Sequence, residues 1–150
     1  MSGPRKSIVI TGAASGIGRA TANYFIQKGW FVGAFDIDEP GLRSLADSVG
    51  PEECLTYALD VRNLQDWEQA VAAFLSHTGG ELNVLFNNAG AGAAGWFEDI
   101  PPDVAGQIVD VNLRGAINGV YACREALKGT PEAHVINNGS VLALQGPPFG

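Results

Sequence analysis

Short apolar runs alternate with amphipathic stretches along this chain. Residues 7–11 (SIVIT) are β-branched and apolar and predict a strand. From Gly16 the period lengthens. Ile17, Thr21, Tyr24, Phe25 and Lys28 recur at helical spacing, and Gly29 ends that helix. Residues 31–35 (FVGAF) predict a second strand, closed by Asp36, and residues 41–48 a short helix. A third strand is expected over 55–59, ending at Asp60. Leu64, Trp67, Val71, Phe74 and Leu75 then form an apolar helical stripe that stops at Gly79-Gly80. Residues 83–86 (NVLF) predict a fourth strand, cut by Asn87-Asn88-Ala89-Gly90. Pro101-Pro102 opens a helix that runs to about Lys128 with a break near Asp110. A fifth strand is expected over 134–137 (HVIN), and a loop over 139–150.

Strands apolar at nearly every position, separated by helices, predict strands covered on both faces. The fold class is therefore α/β, a Rossmann-type doubly wound parallel sheet with right-handed crossovers. The 150 residues make one domain. Hydrophobic residues at 46% and charged residues at 17% exclude a disordered chain. A net charge of −7 argues against nucleic acid as a partner, which needs clustered Lys and Arg. No stretch reaches the ~20 apolar residues of a membrane span. The polar start, residues 1–6, precedes no signal-type apolar segment. Cys54 and Cys123 are far apart and outside any metal-ligand spacing, so no metal site is expected and a reducing, cytoplasmic compartment fits. His77 and His134 stand alone in their segments and read as structural, and Trp96 either edges a pocket or packs.

The 20 glycines, about double average usage, concentrate at the turns, and one group carries chemistry. Thr11-Gly12-Ala13-Ala14-Ser15-Gly16-Ile17-Gly18 follows a predicted strand and opens a predicted helix. Gly12 permits the tight turn, Gly16 lets a diphosphate approach bare backbone, and Gly18 allows close packing of helix on sheet. The unpaired amides and dipole of the helix N-terminus favour phosphate charge. The alternative is a plain glycine-rich turn. Asp36 ends the second strand, 24 residues past Gly12, where a carboxylate accepts from the ribose hydroxyls and repels a 2′-phosphate. No Lys or Arg lies in the glycine turn or directly after Asp36, which favours NAD over NADP. A solvated acid at a strand end is the competing reading. An ATP loop is disfavoured, because no Lys-Ser/Thr closes the turn.

With these residues in order, the chain resembles the short-chain dehydrogenase/reductase family. TGAASGIG at 11–18 has that family's glycine spacing, and Asn87-Asn88-Ala89-Gly90 matches its NNAG segment. Asp60-Val61, Val111-Asn112 and Ser140 match its adenine-contacting acid, helix asparagine and active-site serine. The resemblance implies a cofactor site of Gly12, Ser15, Gly16, Ile17, Gly18, Asp36, Ile37, Asp60, Val61, Asn88, Ala89, Gly90 and Val111. It implies that Asp60 meets the adenine amino group, that Val61 gives its N–H to the ring, and that Asn112 holds a helix bend and a proton-relaying water. Ser140 would donate to the substrate oxygen on which charge develops. The ordinary alternatives are a buried asparagine bonded to backbone and a turn hydroxyl.

The implied activity is hydride transfer between NAD and a secondary alcohol or ketone. A non-catalytic dinucleotide-binding module or sensor is the alternative.

The sequence departs from the family pattern in two places. Asn138-Gly139 stands where an apolar residue and a serine are commoner. The family's acid/base tyrosine, about a dozen residues past the serine and followed by a lysine four positions on, is not among these 150 residues. The expectation is a piece of a longer protein: residues 1–150 as an NAD-binding Rossmann domain without the C-terminal part of the family domain, inactive alone. The whole protein would be a dimer or tetramer. In the family's strand order, 3-2-1-4-5-6-7, strand five would be left as an open edge inviting self-association.

Overall fold

The computed structural model describes residues 5–140. Residues 1–4 and residues 141–150 of the expected C-terminal loop lie outside it.

Five strands form one parallel sheet in the order β3-β2-β1-β4-β5. They are β1 (Ser7–Thr11), β2 (Phe31–Asp36), β3 (Cys54–Ala58), β4 (Val84–Asn87) and β5 (His134–Asn137). The crossover helices are α1 (Gly16–Gln27), α2 (Glu39–Val49) and α3 (Leu64–Thr78). The β4–β5 crossover contains α4 (Pro102–Val109), a π-helical turn (Asp110–Arg114) and α5 (Gly115–Gly129). The expected Rossmann arrangement is therefore present.

Alternation along β1 and β2 divides the core. Val9 and Phe35 pack with Trp67, Val71, Phe74 and Leu85 on one face. Ile8, Ile10, Val32 and Ala34 pack with Ala22, Leu42 and Leu45 on the other. Trp67 is fully buried, and its Nε1 donates to the Val61 carbonyl at 3.1 Å, so the largest core side chain also satisfies its polar atom. Gly33 lets Phe74 lie against β2, where a Cβ would stand 2.7 Å from its ring.

Three details correct the sequence reading. The second helix begins at Glu39, two residues before Gly41, because Asp38 caps it: its carboxylate accepts from Gly41 N–H at 3.2 Å, and Pro40 lies in the first turn. The break near Asp110 is a π turn inside a continuing helix. Strand β5 holds the edge expected of it, pairing among the described residues with β4 alone, but it is exposed at every residue, so burial on both faces does not extend to it. No helix among the described residues is long and apolar enough to cross a membrane.

Candidate functional site

The C-terminal ends of the strands open onto two adjoining cavities of about 590 and 490 Å³, each within the range of ~300–1,000 Å³ usual for small-ligand sites. Val61, Asn88, Ala89, Gly90 and Val111 line both. The two are thus halves of one groove.

The glycine turn forms the floor of the larger half. Gly12 has φ +66° and Gly16 φ +52°, left-handed values that favour glycine. A Cβ on Gly12 would come within 3.0 Å of Asn88 Nδ2 and 3.1 Å of Ala89 Cα. A Cβ on Gly16 would meet nothing within 4 Å, because that position faces open cavity. Ser15 makes no side-chain cap, so the first amides of α1, beside Ser15, Gly16 and Ile17, border the cavity without a capping oxygen. Gly18 does not line the cavity. It is buried against the turn, where any Cβ would overlap the Gly12 carbonyl, so its part is to let α1 approach the sheet.

Asp36 is tied to this turn. Its Oδ2 accepts from Ala14 N–H at 2.9 Å and its Oδ1 from Asp38 N–H at 3.0 Å. Each oxygen keeps a lone pair for a further donor. Ile37, beside it, is 72% exposed at the cavity wall, as is Ile17 at 65%, giving the groove two apolar edges. Asp60 and Val61 lie at the far end. The Arg62 guanidinium beside Asp60 holds its carboxyl below the ordinary carboxylate range, against a smaller opposing effect of partial desolvation.

An amide network joins the halves. Thr11 Oγ1 accepts from the N–H groups of Asn88 and Ala89, both at 3.0 Å. Asn88 Nδ2 donates to the Thr11 carbonyl at 3.0 Å, and Asn138 Nδ2 donates to Asn88 Oδ1 at 2.9 Å. Asn112 sits in the π turn and bonds to Ala91 through both ends of its amide. It lines the smaller half together with Ser140.

These residues fit a dinucleotide: bare amides and an open Gly16 position for the diphosphate, a carboxylate for the sugar, and apolar edges for the bases. The sequence model of the family described as short chain dehydrogenase matches residues 6–150. The chain belongs to this family.

Its relatives agree. A short chain dehydrogenase/reductase from Burkholderia phymatum, solved in complex with NAD, superposes with a TM-score of 0.90 at 32% identity, over 97% of this chain and 53% of that one. A 3-ketoacyl-(acyl-carrier-protein) reductase from Brucella melitensis, complexed with NADH, superposes at 0.86 and 33% identity, over 95% and 60%. An NAD-dependent glycerol dehydrogenase from Listeria innocua is 30% identical over 93% of this chain and 55% of its own length. A probable oxidoreductase, EphD, from Mycobacterium tuberculosis is 36% identical over 91% of this chain and 23% of its own length. The chain therefore spans between about a quarter and just over half of these two curated relatives.

Within this short chain dehydrogenase domain, the groove gathers Gly12, Ser15, Gly16, Ile17, Asp36, Ile37, Asp60, Val61, Asn88, Ala89, Gly90, Val111, Asn112 and Ser140. Sequence reasoning passed over Thr11 as a bridge to the fourth strand, Arg62 as the partner of Asp60, and Gln107 on the cavity wall. The signal for Arg62 was its place two residues after the acid, within reach of a fork-shaped side chain. His77 lies outside the groove and stacks on Phe31 at 5.5 Å.

Proposed function

We propose that this chain is the NAD-binding part of an oxidoreductase that interconverts a secondary alcohol and a ketone. The observation that carries the reading is the Asp36 carboxylate bonded to Ala14 N–H, which places an acid beside the glycine turn where a dinucleotide's sugar follows its diphosphate. Bound in the groove, NAD would supply a nicotinamide ring able to accept or donate a hydride.

The chain's own groups bind and orient. The amides at the start of α1 receive the diphosphate, and Asp36 accepts from the adenosine ribose hydroxyls. Asp60 and Val61 contact the adenine, Asn88, Ala89 and Gly90 line the sugars, Val111 packs near the adenosine half, and Asn112 braces the wall. Ser140 donates to the substrate oxygen. Two arginines beside the groove are engaged: Arg19 donates to the carbonyls of Ala14 and Gly41 and to Ser44 Oγ, and Arg62 pairs with Asp60. The Asp36 carboxylate would repel a 2′-phosphate, and Arg62 is held by Asp60, which supports NAD over NADP.

Turnover in this reading needs a Tyr-x-x-x-Lys segment placed after Ser140; the Tyr24–Lys28 pair, which has this spacing, lies at α1 and outside the groove, so the 150 residues alone are expected to bind NADH without turnover. A binding module without chemistry is the second reading, supported by the same observation. Titrating the chain with NADH, then assaying a form extended through such a segment with a panel of alcohols, separates the two. Binding with turnover only in the extended form supports the enzyme, and binding without turnover in either supports the module.

Val109, Leu113, Ile117 and Tyr121 are exposed at four-residue intervals from α4 through α5, which supports a homo-oligomeric whole protein. The two buried free thiols accord with a cytoplasmic setting.

A further inference from the structure

Arg62 holds Asp60 by more than charge. Its backbone N–H donates to Asp60 Oδ1 at 3.0 Å. Its Nε donates to Oδ1 at 2.9 Å and reaches Oδ2 at 3.1 Å, while Nη2 donates to Oδ2 at 2.6 Å. Fork geometry of this kind fixes the plane of a carboxylate as well as its position. The loop carrying the pair is fixed in turn. The Val61 carbonyl accepts from Trp67 Nε1 at 3.1 Å and from Asn118 Nδ2 at 3.0 Å, and the Arg62 carbonyl accepts from Asn118 Nδ2 at 3.1 Å. Asp60 and Arg62 both line the larger half of the groove.

The chemistry of purines makes that fixed plane consequential. Adenine carries an exocyclic amine, which donates to a carboxylate. Hypoxanthine carries a carbonyl there, which sets acceptor against acceptor, with a ring N–H one position away. A carboxylate free to turn reaches that ring N–H instead and tolerates either base. A carboxylate locked by a fork does not.

We propose that Arg62 is a positioning residue that makes the groove select adenine: by locking the Asp60 carboxylate it favours a dinucleotide whose purine carries an amine over one whose purine carries a carbonyl. This rests on the dinucleotide reading of the groove and deepens it.

The experiment compares binding of NADH and of reduced nicotinamide hypoxanthine dinucleotide to the 150-residue chain, by nicotinamide fluorescence. The unsubstituted chain is expected to prefer NADH about tenfold, the scale of one hydrogen bond to a charged group. Arg62→Met is expected to narrow the ratio severalfold, chiefly by binding the hypoxanthine form better relative to NADH, the remainder resting on the Val61 N–H assigned to the ring. Arg62→Lys, which keeps the charge and loses the fork, falls between, and carries the test if the methionine variant melts below the assay temperature. An unchanged ratio in both variants overturns the proposal. So does an equal loss of affinity for the two dinucleotides, which would mean that Arg62 only braces its loop. Binding of neither dinucleotide by the unsubstituted chain overturns the reading of the groove itself, and the proposal with it.

Discussion

Asn112 closes both backbone hydrogen bonds of Ala91. Its Oδ1 accepts the Ala91 N–H at 2.7 Å and its Nδ2 donates to the Ala91 carbonyl at 2.9 Å. A π turn widens the helix at this point and carries the amide across to the segment that follows β4. The pair ties the groove's upper wall to the strand end. Because Asn112 is exposed, Asn112→Ala is expected to cost only about 1 kcal/mol in urea unfolding. It is also expected to speed hydrogen exchange at the Ala91 amide. Asn112→Asp keeps the acceptor and sets a carboxylate against the Ala91 carbonyl, so it should cost more than the alanine variant at neutral pH. Equal exchange at Ala91 in all three proteins would show that the clamp holds nothing.

The glycines of the turn should separate by the kind of damage their substitution does. Gly18→Ala drives a methyl into the Gly12 carbonyl, a backbone atom that cannot yield, so the fold itself should be destabilised by several kcal/mol. Gly16→Val meets open space and pays only for its left-handed φ, on the order of 1–3 kcal/mol. Its branched side chain then occupies the place assigned to the diphosphate. The expected outcome is a folded protein without measurable NADH affinity. Thermal melts and NADH titration of both variants check the contrast.

How far the sequence alone reached is clear from particular residues. Period and turn chemistry located every strand, and the glycine spacing located the floor of the groove, because these depend on neighbours in the chain. The start of α2 was missed although Asp38 and Pro40 signal it, since the first apolar position, Leu42, drew the boundary inward. The edge position of β5 agrees with the strand order that the family resemblance implied; its exposure at every residue depends on what packs against the sheet there, which HVIN cannot express. The Thr11 bridge to Asn88 and Ala89 spans 77 and 78 residues and depends on β1 and β4 lying side by side. The form of the helix break was also out of reach: a break near Asp110 was legible, a π turn was not.

Asp36 should set the choice of cofactor. Asp36→Ala is expected to weaken NADH binding and to bring NADPH affinity close to that of NADH, since the repulsion of a 2′-phosphate goes with the carboxylate. It should also lower stability modestly, because the Ala14 and Asp38 amides lose their acceptor. Unchanged binding of both cofactors would remove Asp36 from the site.

The Asp60–Arg62 pair predicts a pH dependence with a definite sign. Arg62 depresses the folded-state pKa of Asp60 below its unfolded value, which for an aspartate is about 3.9. The pair's contribution is therefore complete above that value and is lost as pH falls through the lower, folded one. Urea unfolding of the unsubstituted chain and of Asp60→Asn should differ most near about pH 7 and converge in strong acid, once pH has fallen through the lowered folded-state pKa. A difference that grows on acidification would contradict the assignment.

Burial pushes the thiols of Cys54 and Cys123 up to about 12. Both should resist alkylation at neutral pH in the native chain and react fully in denaturant, as counted by mass spectrometry. Rapid labelling of either without denaturant would show that its face of the core opens readily.

The most direct test of the central claim is a two-dimensional 1H–15N spectrum of the chain titrated with NAD. The diphosphate on the amides that open α1 should move the signals of Ser15, Gly16 and Ile17 furthest, with Ile37 and Val61 following. Saturating NAD that leaves those amides in place, or that moves only signals remote from the groove, would contradict it.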